Sequence, residues 1–192
     1  MPAPESRRPA VFFDRDDTLI ENGTLPAEAF AGKAGDLADP DWIKPLPHAF
    51  EACRRVAEMG FAVVIVTNQG VVARGGASLD EVEAACQRTL EIFEPHAQAV
   101  LACPFHPQGE GPPRFCREHA WRKPAPGMLL AAADLLGLDL SRSWMVGDAE
   151  RDVQAGVAAG LESGRCLRVG DGALDLASAI DRIAQASVVR GG

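Results

Sequence analysis

The sequence predicts an α/β fold in which a parallel, doubly wound sheet carries helices on both faces. Short apolar runs rich in β-branched residues alternate along the chain with segments of helical spacing. Glycines close the helical segments at Gly60, Gly137 and Gly160. Several apolar runs end in polar residues, as strands do when a ligand site lies beyond their carboxyl ends.

Ala10 to Phe13 reads as a buried strand that stops at Asp14-Arg15-Asp16-Asp17. Residues 21–47 carry Gly23, Pro26, Gly32, Gly35, Pro40, Pro45 and Pro47, so a flap over the strand end is expected there. Residues 48–59 follow as a helix with Phe50, Cys53, Val56 and Ala57 on one face. Phe61 to Val66 is the most β-branched run and reads as a central parallel strand ending in Thr67-Asn68-Gln69-Gly70. Ser78 and Glu81 form a capping box for a helix to about Phe93, with Leu79, Val82, Cys86, Leu90 and Phe93 inward. Ala97 to Cys103 is a third strand, and residues 104–121 are irregular. Pro126-Gly127 opens a helix that Gly137 stops. Trp144-Met145-Val146 is a strand ending in Gly147-Asp148, a helix spans 149–159, Arg165 to Val169 is the last strand, and 174–185 a final helix. Residues 1–9 are expected to be a flexible tail and 10–192 one domain, with no internal repeat.

The formal charge of −8 argues against nucleic acid or an anionic membrane as partner. An anionic substrate must then be held by a few local cations or by a metal. No apolar run approaches the length of a membrane span. Five cysteines without a secretory signal suggest reduced thiols and a cytoplasmic location, and a monomer is expected.

Three acids within four residues repel unless a cation or a shared proton relieves them, which points to a metal and an anionic ligand at Asp14 and Asp16. A plain turn is the competing reading, because Asp is common in turns. Thr67-Asn68 taken alone reads as a helix-opening turn, and Arg74, Arg122 and Lys123 as solvated charges. Asp152 reads as an acid in the first turn of a helix.

Taken in order, the acidic strand end, Thr67-Asn68, Arg122-Lys123-Pro124 and Gly147-Asp148 with Asp152 resemble the four motifs of the haloacid dehalogenase superfamily of Mg²⁺-dependent phosphatases. The resemblance runs from about residue 10 to residue 160. With Ala73-Arg74-Gly75 and Pro124-Ala125-Pro126-Gly127-Met128, the chain resembles the branch of heptose-bisphosphate and histidinol-phosphate phosphatases. That resemblance implies a fold with minimal cap loops and Asp14 as nucleophile, giving an aspartyl-phosphate. Asp16 would protonate the leaving alkoxide and later deprotonate water. Mg²⁺ would be held by the carboxylates of Asp14 and Asp148 and the carbonyl of Asp16. Thr67 and Lys123 would bind phosphoryl oxygens, and Asn68, Arg74 and Arg122 the rest of a small phosphorylated metabolite such as a sugar bisphosphate.

Cys103, His106, Cys116 and His119 have paired spacings that suit a structural zinc site. The resembling branch has a His where Phe105 stands and a Cys where Trp121 stands. Two readings therefore remain: a rewired zinc site over residues 103–121, or a lost one in which Trp121 packs the loop. Asp17 stands where the family usually has Gly, which would add negative charge near the phosphate. The flap is long and lacks the family's Tyr, with Trp42 the nearest substitute. Outside the enzyme class, a non-catalytic phosphoacceptor module would share the acidic pocket, Thr and Lys, but not Asp16.

Overall fold

The computed structural model describes residues 7–170 and 172–188. Five strands, β1 (Ala10–Phe13), β2 (Ala62–Asn68), β3 (Ala97–Cys103), β4 (Trp144–Gly147) and β5 (Cys166–Arg168), form one sheet in the order β3-β2-β1-β4-β5. All neighbours are parallel, with Val11 level with Val63 on one side and Trp144 on the other. Parallel strands cannot be joined by hairpins, so each connection crosses a face of the sheet. The connections carry helices α1 (Ala49–Glu58), α2 (Val71–Arg74), α3 (Leu79–Phe93), α4 (Gly127–Leu136) and α5 (Glu150–Ala158), and α6 (Leu176–Val188) follows β5.

Side chains of β1 alternate between two cores. Val11 and Phe13 pack with Cys53 and Val56 of α1, Phe93 of α3 and Ile180 and Ile183 of α6. Ala10 and Phe12 face the other way, onto Met128, Leu129 and Ala132 of α4 and Ala155 of α5. Phe12 and Phe13 are completely buried, and burial of each contributes roughly 1.5–3 kcal/mol. A strand buried on both faces explains why its sequence is an unbroken apolar run. The chain leaves β1 towards β2 and β3, then returns to its other side as β4 and β5. The crevice of such a sheet lies where that direction reverses, beyond the ends of β1 and β4.

The expected elements are present, with differences at their edges. The Ser78 hydroxyl accepts from the Glu81 amide (3.2 Å) and the Glu81 carboxylate from the Ser78 amide (2.7 Å), so the capping box opens α3. The inward face of α3 is rotated from the expected one. Val82, Ala85, Thr89 and Phe93 are buried, whereas Leu79, Cys86 and Leu90 are half-buried and line a groove of about 360 Å³ with Leu101 and Trp121. Helix α2 has only one turn and was not legible as periodicity. Residues 1–6 of the expected tail lie outside the described residues, but its end is structured. Arg8 bridges to Leu138, and the Pro9 carbonyl accepts from the Ala62 amide at 2.9 Å. The flap is folded down: Glu21 bonds Lys44 across its base, and Leu37 and Ile43 are buried in the core. Among the described residues no helix is long and apolar enough to cross a membrane.

Candidate active site

Asp14 follows the last residue of β1, and its amide donates to the Val146 carbonyl of β4 at 2.9 Å. That bond aligns the ends of the two central strands and turns the Asp14 carboxylate towards Asp148, just past β4. The carboxylate oxygens of Asp14, Asp148 and Asp152 lie within 4.8 Å of one another. Lys123 is completely buried beside them. Its ammonium donates to Asp14 Oδ1 (2.7 Å) and the Val66 carbonyl (2.8 Å), and pairs with Asp152 Oδ1 at 2.7 Å.

Burial pushes the Asp14 carboxyl up to about 8; Lys123 opposes this, and Asp152 and Asp16 add to it. Asp148 is also raised, by burial first and by Asp152 next. For Lys123, burial disfavours the charge, but Asp14 and Asp152 outweigh it and raise the pKa. One ammonium does not neutralise three carboxylates, and Asp148 Oδ1 is buried without a hydrogen-bond donor. The Arg151 guanidinium stands 3.9 Å from that oxygen. Hard carboxylate oxygens with uncompensated charge fit a divalent ion such as Mg²⁺.

Asp152, which the sequence suggested as a simple helix-end acid, belongs to this cluster. It is completely buried, its Oδ2 accepts from the Ala149 amide at 3.0 Å, and its Oδ1 holds Lys123. Gly147 makes room for it, because a Cβ there would lie 2.4 Å from the Asp152 Cβ.

Asp16 faces a different set of partners. Its Oδ2 accepts from the Thr67 hydroxyl (3.0 Å) and the Gln69 amide (2.9 Å), and its Oδ1 from the Arg15 guanidinium (2.9 and 3.1 Å). Thr67, expected at phosphoryl oxygens, is thus bonded to Asp16, as is Gln69, which the sequence marks only as part of the polar strand end. Asn68, expected at the substrate, is bonded to the backbone of Lys123. Its side-chain amide donates to the Lys123 carbonyl and accepts from the Lys123 amide, both at 3.0 Å, so it clamps the backbone that carries Lys123. Asp17 has φ of 56°, which explains why Gly suits this position, and Asp is among the few other residues that tolerate it. Its carboxylate accepts from the Asn22 and Gly23 amides and ties the flap to the strand end, while still adding negative charge beside Asp148.

Arg74, Arg122 and His106 gather around Gly70. A Cβ on Gly70 would lie 2.8 Å from an Arg74 nitrogen, 3.3 Å from an Arg122 nitrogen and 3.1 Å from the His106 ring. Arg74 is committed to the buried Asp36 of the flap, whereas among the described residues the Arg122 side chain bonds only the Phe105 carbonyl, at 3.2 Å. Burial lowers the pKa of Arg122, and Arg74 and Arg151 add to the effect.

The structure does not gather Cys103, His106, Cys116 and His119. Cys116 donates its thiol to the carbonyls of Ala73, Gly111 and Pro112, and His119 stacks on Phe105 with centroids 3.9 Å apart. The Nδ1 atoms of His106 and His119 accept from the Gln108 and Trp121 amides, both at 3.1 Å. Cys103 is buried. Among the described residues, only Asp14, Asp148 and Asp152 form a potential metal-ligand group. Local carbonyls, amides and rings have satisfied the loop instead.

Glycines let the surrounding loops touch through their backbones. A Cβ on Gly76 would meet the Ala31 carbonyl of the flap at 2.2 Å. One on Gly109 would meet the Ala73 carbonyl at 2.3 Å, and one on Gly111 the Gly75 amide nitrogen at 2.5 Å.

A HAD-hydrolase-like family model matches residues 120–190. The chain is 38% identical over 159 residues to the D-glycero-β-D-manno-heptose-1,7-bisphosphate 7-phosphatase of Mesorhizobium japonicum, covering 81% of this chain and 68% of that one. It is 34% identical over 166 residues to the protein of the same name from Escherichia coli K12, covering 84% and 80%. Among solved structures, it resembles the D,D-heptose 1,7-bisphosphate phosphatase of B. bronchiseptica complexed with magnesium and phosphate. There the TM-score is 0.69 at 25% identity, over 93% of this chain and 99% of that one. The fold, the acidic cluster at the strand ends and these relatives agree, and the chain belongs to the HAD-like family of phosphatases.

Proposed function

We propose that this chain is a Mg²⁺-dependent phosphomonoesterase that removes the 7-phosphate of D-glycero-β-D-manno-heptose 1,7-bisphosphate, the substrate for which its relatives are named. The observation that carries the reading is the meeting of Asp14, Asp148 and Lys123 at the ends of β1 and β4. Asp14 and Asp148, with the Asp16 carbonyl, are the residues to hold Mg²⁺, which would offset charge repulsion between the nucleophile and a phosphate dianion. Lys123 and the Arg15 amide both bond Asp14 Oδ1, so Oδ2 is the oxygen to attack phosphorus. As the Asp14–phosphorus bond forms, the ester oxygen leaves with a proton from Asp16. Asp16 then takes a proton from water, which attacks phosphorus and frees Asp14. Thr67 turns from Asp16 to a phosphoryl oxygen, and Lys123 stabilises the charge there. Arg122 and His106, which gather beside Gly70, are our candidates for the distal phosphate.

We read residues 103–121 as held by ring packing and carbonyl contacts, without zinc. Residues 10–192 act as one catalytic domain, and the five free thiols suit a reducing compartment such as the cytoplasm.

The test is phosphate release from the heptose bisphosphate, from histidinol phosphate and from other small phosphoesters, with and without Mg²⁺. The heptose ester should show the highest kcat/KM. Asp14→Asn should lower turnover by about a thousandfold or more with the fold intact. Wild-type turnover by that variant would refute the mechanism. An acyl-phosphate persisting for minutes on the wild-type chain would mark a phosphoacceptor instead.

A further inference from the structure

We infer that Arg15 is a positioning residue for the leaving-group acid: it fixes which oxygen of Asp16 carries the proton and links that orientation to the flap. The inference rests on the phosphatase reading. Arg15 is completely buried, and among the described residues its guanidinium has a single bonded carboxylate, that of Asp16. Nε and Nη2 both donate to Asp16 Oδ1, at 3.1 and 2.9 Å, and Nη2 also donates to the Leu37 carbonyl of the flap at 2.9 Å. Nη1 is buried without an oxygen or nitrogen acceptor, and the Cys86 thiol is a further neighbour of the guanidinium.

Stability gives little reason for this arrangement. A buried ion pair is often no better than an apolar replacement of similar volume, and here one nitrogen also lacks an oxygen or nitrogen acceptor. Function gives a reason. Two donors on Oδ1 exclude a proton from that oxygen. Oδ2 faces Thr67 and Gln69, and it becomes available when the Thr67 hydroxyl turns to a phosphoryl oxygen. Protonated Asp16 therefore presents its O–H from Oδ2 alone, and its plane is held by a rigid fork. In the first step the phosphorus–oxygen ester bond breaks, the Asp14–phosphorus bond forms, and the Oδ2 proton passes to the departing alkoxide. Because Leu37 is a buried residue of the flap, the same guanidinium ties the orientation of the acid to the seating of that segment.

The experiment compares kcat/KM for an alkyl phosphate, whose leaving group needs a proton, with that for p-nitrophenyl phosphate, whose leaving group does not. This ratio reports only the steps up to release of the alcohol. In Arg15→Met the alkyl ester should lose about a hundredfold, the range in which general acids act, and the aryl ester no more than a fewfold. Arg15→Lys keeps charge but offers no fork, so it should shift the ratio in the same direction by less. It also serves if the Met variant does not fold, with far-ultraviolet circular dichroism as the check. Equal losses on both esters, or no loss, would overturn the inference. Failure of the wild-type enzyme to hydrolyse either ester would instead overturn the phosphatase reading, and this inference with it.

Discussion

Asp14, Asp148 and Asp152 meet beyond the ends of the central strands, while Cys103 at the end of β3 and His106, Cys116 and His119 in the loop after it do not meet. Both groups have the chemistry to hold a metal. The difference lies in what each side chain can reach locally. At the strand ends the backbone is committed to the parallel ladder, so Asp14 and Asp148 have few amides to bond and must face one another. In the irregular loop, free carbonyls and amides are abundant. Each thiol or imidazole there finds a neighbour a few residues away, as His119 does with the Trp121 amide and the Phe105 ring. Ligand-type residues on rigid supports converge, whereas the same types on a loop are absorbed by packing.

The largest effect should come from removing the cation that holds the strand-end cluster together. Lys123→Met in metal-free protein leaves Asp14 and Asp152 buried without their shared partner. A loss of about 3–5 kcal/mol is expected, read as a fall of about 10 °C or more in Tm, and turnover measured with Mg²⁺ added should be down by about a thousandfold. A Tm within about 2 °C of wild type would show that the cluster does not depend on this charge.

Next is metal and pH together. Asp14 is an acid whose pKa is raised in the folded protein, from 3.8 to about 8. Such a group favours the fold below its unfolded pKa and loses that contribution as pH rises through the folded one. Metal-free protein should therefore lose stability between about pH 4 and pH 8. Mg²⁺ binds the deprotonated carboxylates, so the Tm gain on adding it should grow across the same window. At a hundredfold excess over Kd the gain should reach about 2.7 kcal/mol. A gain independent of pH would place the ion elsewhere.

The smallest effect belongs to the loop. Cys116→Ser should change stability by less than about 1 kcal/mol, since its thiol makes only long contacts to carbonyls. Metal analysis of the wild-type protein should find no stoichiometric zinc. Stoichiometric zinc lost together with a large Tm fall in this variant would show that the loop converges as the strand ends do.

Much of this was legible in the sequence. The strands could be read because burial on both faces demands continuous apolar runs, as in Phe12-Phe13 and Val63-Val64. Asp14, Lys123 and Asp148 were recognisable because an ionisable group directly after such a run, or in a motif of fixed order, has few packing explanations. Asp152 stood with Gly147-Asp148 in the motif but was given no role, because a first-turn helix acid has an adequate local reason, and its pairing with Lys123 spans unrelated segments. Asn68 and Thr67 were assigned to the substrate by family resemblance. Their hydrogen bonds to Lys123 and Asp16 depend on how β2 abuts its neighbours, which no local spacing reports. Arg74 was expected at the substrate too, and its commitment to Asp36 depends on how the flap folds down.

The glycines at 76, 109 and 111 stack three loops on one another with no side chain between them. Joints of that kind have no slack: they cannot be retuned by swapping one residue for a larger one without prising the layers apart. The loops that meet there should therefore keep their mutual arrangement when the side chains around them change, and new substrate preferences should arise from what projects off them.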